Sequence, residues 1–122
     1  MAKANLIILY VANPLASVSF YSKLLDKEPL VSFPTFSSFE LQDGFVLGLW
    51  ARDAVAPEPS KTGNRSELAF MVKDEEAVRA HYEKWKGAGL TIAQDLTKMD
   101  FGPTFVALDP DGHRLRACLF DD

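Results

Sequence analysis

Cysteine is nearly absent from this chain: its 122 residues include one, Cys118. A single thiol closes no internal disulfide and builds no cysteine-rich zinc site, so Cys118 reads as a small buried strand residue. Histidine is scarce too, limited to His81 and His113. Basic runs are missing. Thirteen Lys and Arg stand against seventeen Asp and Glu, for a formal net charge of −4, which argues against the counterion-displacing face that nonspecific nucleic-acid binding requires. Long apolar runs are missing as well. The run from Leu6 to Ala12 is far too short for a membrane span and at the short end for the apolar core of a secretion signal. The expectation is a cytoplasmic protein with neither a nucleic-acid nor a membrane partner.

What is present suits one domain with a single core, at 48% hydrophobic and 25% charged residues. Leu6 to Ala12 is apolar on both faces, as in a strand covered on both sides. Asn13-Pro14 supplies a helix cap and a first-turn proline, and "PLASVSFYSKLL" follows as a helix with Leu15, Val18, Tyr21 or Ser22, and Leu25 along one side. "LVSFPTFSSFELQDGFVLGLW" contains three short strands, broken at Pro34 and at Asp43-Gly44. A linker rich in Pro, Gly and charge follows. "SELAFMVKD" is the next strand, and Asp74 caps a second helix with Val78, Tyr82 and Trp85 on one side. "LTIAQDL" is a strand, Gly102-Pro103 breaks the chain, and "TFVALD" and "HRLRACLF" are joined by the tight turn of "DPDG".

The halves repeat. "YVAN" at 10–13 parallels "MVKD" at 71–74, Tyr21 and Tyr82 each lie eight residues further on, and "FELQDGFVLGL" parallels "FVALDPDGHRLRACL" with a longer turn. Each half reads strand–helix–strand–strand–strand, which constrains the fold. The modules span about 4–52 and 65–122 of a single 1–122 domain, with a linker at 53–64. Helices must cover one face of each sheet and leave the other open. Strand alternation puts Leu115, Ala117, Leu119, Leu68, Phe70 and Val72 under the helices. It turns Leu6, Ile8, Tyr10, Val46, Gly48, Trp50, Glu67, Ala69, Met71, Arg114, Arg116, Cys118 and Phe120 to the open face. Apolar walls with few fixed polar groups suit a ligand cleft. A second apolar core or a dimer interface would use the same residues.

The paired halves, "FYSKLL" after the first strand, "ELAFMVKD" opening the second half and "DPDGHRLR" near the end resemble the vicinal oxygen chelate superfamily. It includes glyoxalase I, extradiol dioxygenases, fosfomycin resistance enzymes and bleomycin resistance proteins. The resemblance covers essentially the whole chain. It implies an α+β fold of two βαβββ modules forming a curved mixed-sheet half-barrel with a concave cleft, commonly completed by a homodimer. It also implies a divalent metal held on the first and last strands of each module. The four positions of that pattern fall on Leu6, Gly48, Glu67 and Arg116. Only Glu67 can ligate: Leu and Gly lack donors, and Arg is a permanent cation. Glu67 and Arg116 could instead pair with each other, or Arg116 could take a ligand carboxylate while Glu67 holds it.

Within the superfamily, "LGLW", "ELAF", "DFGPTFVALDPDGHRLR" and the linker look most like phenazine-antibiotic resistance proteins. That resemblance implies metal-independent sequestration of a planar aromatic small molecule by Trp50, Tyr10, Phe39, Phe101 and Phe105, with Arg116 and Glu67 as the polar end. No catalytic residue, metal or other cofactor is assigned; Asp100 in "MDFG" reads as a loop or cap residue. The alternatives are a glyoxalase- or dioxygenase-type enzyme with atypical or lost metal ligands, and an interaction module with a vestigial cleft.

Overall fold

Asn13 and Asp74 end two strands and start two helices, and this repeated strand-to-helix step organises the chain. In the computed structural model, which describes residues 5–56 and 66–119, β1 (Leu6–Val11) runs into α1 (Pro14–Leu25), and β5 (Glu67–Val72) runs into α2 (Glu75–Gly87). The Asn13 side chain accepts from the Leu15 N–H at 3.1 Å, and the Asp74 side chain from the Ala77 N–H at 2.8 Å. Each cap satisfies an orphan donor of the first turn. In the first half β2 (Val31–Ser32), β3 (Phe36–Gln42) and β4 (Phe45–Ala51) follow; in the second, β6 (Thr91–Met99), β7 (Gly102–Leu108) and β8 (Arg114–Leu119).

The chain divides into two compact units, each a βαβββ module with a mixed four-stranded sheet. The orders are β1-β4-β3-β2 and β5-β8-β7-β6. In both, the first strand lies parallel to the last and the other pairings are antiparallel. The hairpin turns use the residues the sequence marks. Asp43 and Gly44 both take positive φ, 47° and 81°, as a two-residue turn matched to strand twist requires. The longer connection before β8 is clamped by Asp109. Its carboxylate accepts from the Asp111 and His113 N–H groups at 2.9 and 2.8 Å and meets His113 Nδ1 at 2.8 Å, with both side chains buried.

Each core lies between one sheet face and its helix. In the first module Leu9, Val11, Tyr21, Phe39, Leu47 and Leu49 are buried. In the second, Trp85 of α2 meets Phe70 and Phe105 edge to face and Tyr82 meets Phe105, with ring centroids 5.2–5.3 Å apart, alongside buried Val78, Leu115 and Ala117. The Tyr82 hydroxyl donates to Asp95 at 2.9 Å, tying α2 to β6.

Four expectations change. Phe39 pairs with Leu47, and Phe105 with Ala117. Cross-strand partners share a face, so both rings point under the helices, fully buried, and neither lines the open face. The buried stripe of α1 is Pro14, Ser17 and Tyr21, while Leu15 is exposed. Gly102-Pro103 does not separate strands; it opens β7, where Pro103 pairs with Lys98, a strand-start position that tolerates proline. At the start of the expected linker, a 3-10 turn over Arg52–Ala54 runs on from β4 and Val55 is buried. Residues 57–64 of that linker, and Phe120, lie outside the described residues.

The ring cluster beneath α2 yields a stability prediction. Trp85→Ala removes a nearly fully buried indole and is expected to cost about 3–5 kcal/mol in chemical denaturation. A loss below about 1 kcal/mol would show that α2 is not anchored through Trp85.

Candidate functional site

On the helix-free face of the second module, Arg116 is held from several sides. The parallel register sets Glu67 opposite Arg114 and Ala69 opposite Arg116, so Glu67 stands one step along the same face from Arg116. The Arg116 Nε donates to Glu67 Oε2 at 2.8 Å and Nη2 to Oε1 at 3.1 Å, a bidentate fork that fixes both planes. Nη1 donates to Gln94 Oε1 and Thr104 Oγ1, each at 3.2 Å. The Phe101 ring, from the turn between β6 and β7, lies 5.8 Å from the guanidinium carbon, a cation–π contact. The Arg116 side chain is 17% exposed and that of Glu67 33%.

The electrostatics follow from this geometry. The Arg116 hydrogen bonds are the main influence holding the Glu67 carboxyl below the ordinary carboxylate range; partial burial opposes them, and the charges of Arg116 and Arg114 reinforce them. The Arg116 guanidinium is pushed up by the same hydrogen bonds, against partial burial. Arg116 therefore stands as an internally neutralised, fixed plane, with its fork already occupied by Glu67.

The helix-free face of the first module is aromatic. Tyr10 pairs with Trp50 and Phe36 pairs with Trp50, so β1, β4 and β3 carry three aromatic side chains at one level. Tyr10 and Trp50 meet edge to face, centroids 6.5 Å apart. Tyr10 is 43% exposed; Trp50 and Phe36 are half-buried.

Of the residues expected at the site, Tyr10 and Trp50 come together in the first module, and Glu67, Arg116 and Phe101 in the second. Phe39 and Phe105 belong to the cores. Sequence reasoning missed Phe36, Gln94 and Thr104. Pairing to Trp50 marks Phe36 once the Asp43-Gly44 hairpin sets the register. Gln94 was hidden by a register shift between Ile92 and Gln94: Ile92 pairs with helix-facing Ala107 but Gln94 with Val106, so the irregularity turns Gln94 to the open side. Asp100 sits in the exposed β6–β7 turn.

A model of the Glyoxalase/Bleomycin resistance protein/Dioxygenase superfamily matches residues 3–117. The chain belongs to that superfamily. A phenazine antibiotic resistance protein of Enterobacter agglomerans is 30% identical over 96% of this chain and 92% of its own. A protein of Agrobacterium tumefaciens with a known solution structure is 47% identical, covers both chains fully and superposes with a TM-score of 0.89. The fold is also that of a glyoxalase-related enzyme from Fulvimarina pelagi, at 22% identity, TM-score 0.82, over 98% of this chain and 89% of that one.

The superfamily's metal pattern does not fit this glyoxalase-fold chain. Both Glu67 oxygens accept from Arg116, which places a permanent cation where a second ligand would stand. Leu6 and Gly48 offer no donor. Among the described residues no three His, Cys, Asp or Glu side chains gather as a metal site. His81 Nδ1 lies 2.8 Å from the Ala77 carbonyl within α2, and His113 is engaged with Asp109.

Two outcomes are expected. Zinc, nickel, iron(II) or manganese(II) leaves the thermal midpoint unchanged, and elemental analysis of protein purified without chelator finds substoichiometric metal; one tightly held equivalent would contradict the assignment. The second concerns pH. Glu67 is ionised in the fold at a pH where the unfolded chain begins to protonate it. The pair therefore stabilises fully above about pH 4.5, the ordinary value, and that contribution is lost as pH falls through the lower folded value. Glu67→Gln should be less stable than the wild type at pH 7, with the gap narrowing below pH 4.5. A gap independent of pH would remove the charge of Glu67 from the account.

Proposed function

We propose that this chain is a metal-independent binding protein that holds a planar aromatic compound of the phenazine type on the helix-free face of its first module and confers antibiotic resistance by sequestering it. The carrying observation is the Tyr10–Trp50 pair, two large aromatic side chains turned away from the core and partly open to solvent. A module core that already buries Phe39, Leu47 and Leu49 on its other face does not need them for packing. Offset or edge-to-face ring contacts add about 0.5–1.5 kcal/mol each beyond area burial, which favours flat aromatic ligands. The second module's own helix-free face separately carries Phe101, at 51% exposure, beside the Glu67–Arg116 pair. The similarity to the Enterobacter agglomerans protein supports the phenazine class. The superfamily also includes glyoxalases and dioxygenases, but the residues at the metal positions favour holding over transforming.

The reading includes a cytoplasmic homodimer. Exposed Leu6, Ile8, Leu30, Phe33 and Met71 are apolar surface that association would cover. A monomer by light scattering would remove that part alone.

Two tryptophans make the ligand test direct. Phenazine should quench fluorescence in the wild type and in Trp85→Phe, and lose most of that quenching in Trp50→Phe. Trp50→Ala should weaken binding about tenfold or more with far-UV circular dichroism unchanged. No quenching, or quenching that follows Trp85, contradicts the proposal.

A further inference from the structure

Gly48 occupies the middle of β4, where a glycine weakens a strand unless something needs the space. It does not take a left-handed conformation, so its backbone would accept any residue. The requirement lies above it. A Cβ at position 48 would come within 3.0 Å of Phe36 Cζ, 3.1 Å of Phe36 Cε1 and 3.4 Å of Ile8 Cγ1. The Phe36 ring thus lies down over the strand in space that only glycine leaves open. Phe36 is also the register partner of Trp50, which is in turn the partner of Tyr10.

We infer that Phe36 is a third ligand-contacting ring and that Gly48 is its positioning residue, together setting the width of the aromatic surface to a fused polycyclic ligand in preference to a single ring. This rests on the aromatic-binding function proposed above. Neighbouring strands lie about 4.8 Å apart, so the backbone positions of Phe36, Trp50 and Tyr10 span about 10 Å across the sheet, and the Phe36 ring leans from β3 over β4 at Gly48, extending the Trp50–Tyr10 surface along the strands. That width matches a linear three-ring system. One ring would engage only part of it. With Gly48 the Phe36 ring is kept low against the sheet; an alanine there has to lift or turn it, narrowing the flat surface over Gly48. Trp50 and Tyr10, on the far side of Phe36, stay in place.

The test is a ring series of pyrazine, quinoxaline and phenazine, titrated into the wild type, Phe36→Leu, Gly48→Ala and the double variant. Trp fluorescence and ligand absorbance give the affinities, and circular dichroism monitors folding. Affinity should rise along the series in the wild type. Phe36→Leu should weaken phenazine about three- to tenfold, the scale of one lost ring contact, and leave pyrazine within about twofold. Gly48→Ala should reproduce that selective loss, yet add little in the Phe36→Leu background, because a shorter side chain no longer meets the new methyl group. If Gly48→Ala fails to fold, the Phe36→Leu selectivity decides alone. Wild-type phenazine binding that Phe36→Leu leaves unchanged, or weakens equally for all three rings, overturns this inference while the binding function stands. A wild type that binds none of the three overturns both.

Discussion

In each module the first strand lies parallel against the last, and that pairing decides the face to which each side chain of both strands turns. It places Glu67 one step from Arg116, Tyr10 beside Trp50 and Ile8 beside Gly48. The capped helix that follows the first strand closes the opposite face with Tyr21 in one module and with Val78, Tyr82 and Trp85 in the other. The Tyr10–Trp50 rings and the Glu67–Arg116 pair lie on the uncovered sides. A one-residue slip in such a pair would exchange the two sets; between β5 and β8 it would bury the Glu67 and Arg116 charges under α2 and expose Leu115 and Ala117.

The two uncovered faces answer the same structural position in different ways. Gly48 and Arg116 occupy equivalent places on β4 and β8, opposite Ile8 and Ala69. In the first module that place is vacated to admit an aromatic ring from β3. In the second it holds a guanidinium bound by Glu67, Gln94 and Thr104. A charged group survives in a partly desolvated setting when its hydrogen bonds are met and its charge is balanced; Arg116 satisfies both conditions without a ligand. This favours Arg116 as a fixed part of the surface over a free anion receptor. Arg116 also engages both oxygens of the one carboxylate at those positions, Glu67.

Much of the fold was legible in the sequence because local chemistry and repeat agreed. Asn13-Pro14 and Asp74 marked the helix starts, Asp43-Gly44 and the "DPDG" stretch marked the turns, and alternation in β5 and β8 correctly separated Phe70 and Leu115 from Glu67 and Arg116. The errors fall where alternation has no anchor. Phe39 and Phe105 sit in strands whose face depends on the partner's register, and an aromatic side chain suits a core as well as a binding surface. Gln94 follows a register shift that inverts its side, which a period-two pattern misses. Leu15 stands where a twelve-residue helix has more apolar residues than its short contact with the sheet can cover. Gly102-Pro103 reads as a break in any propensity scheme, yet it starts β7 against Lys98 and Met99. The Glu67–Arg116 pair was foreseeable as an option, whereas its bidentate form, with Nη1 left for Gln94 and Thr104, depends on strand register.

Whether the helix-free aromatic surface of the first module holds a flat ligand is decided by amide chemical-shift mapping during a phenazine titration of the isotopically labelled protein. Saturable shifts concentrated on Tyr10, Phe36, Gly48 and Trp50 are expected, with the exposed sides of α1 and α2 unaffected. Absent shifts at saturating phenazine, or shifts confined to the helices, would contradict it.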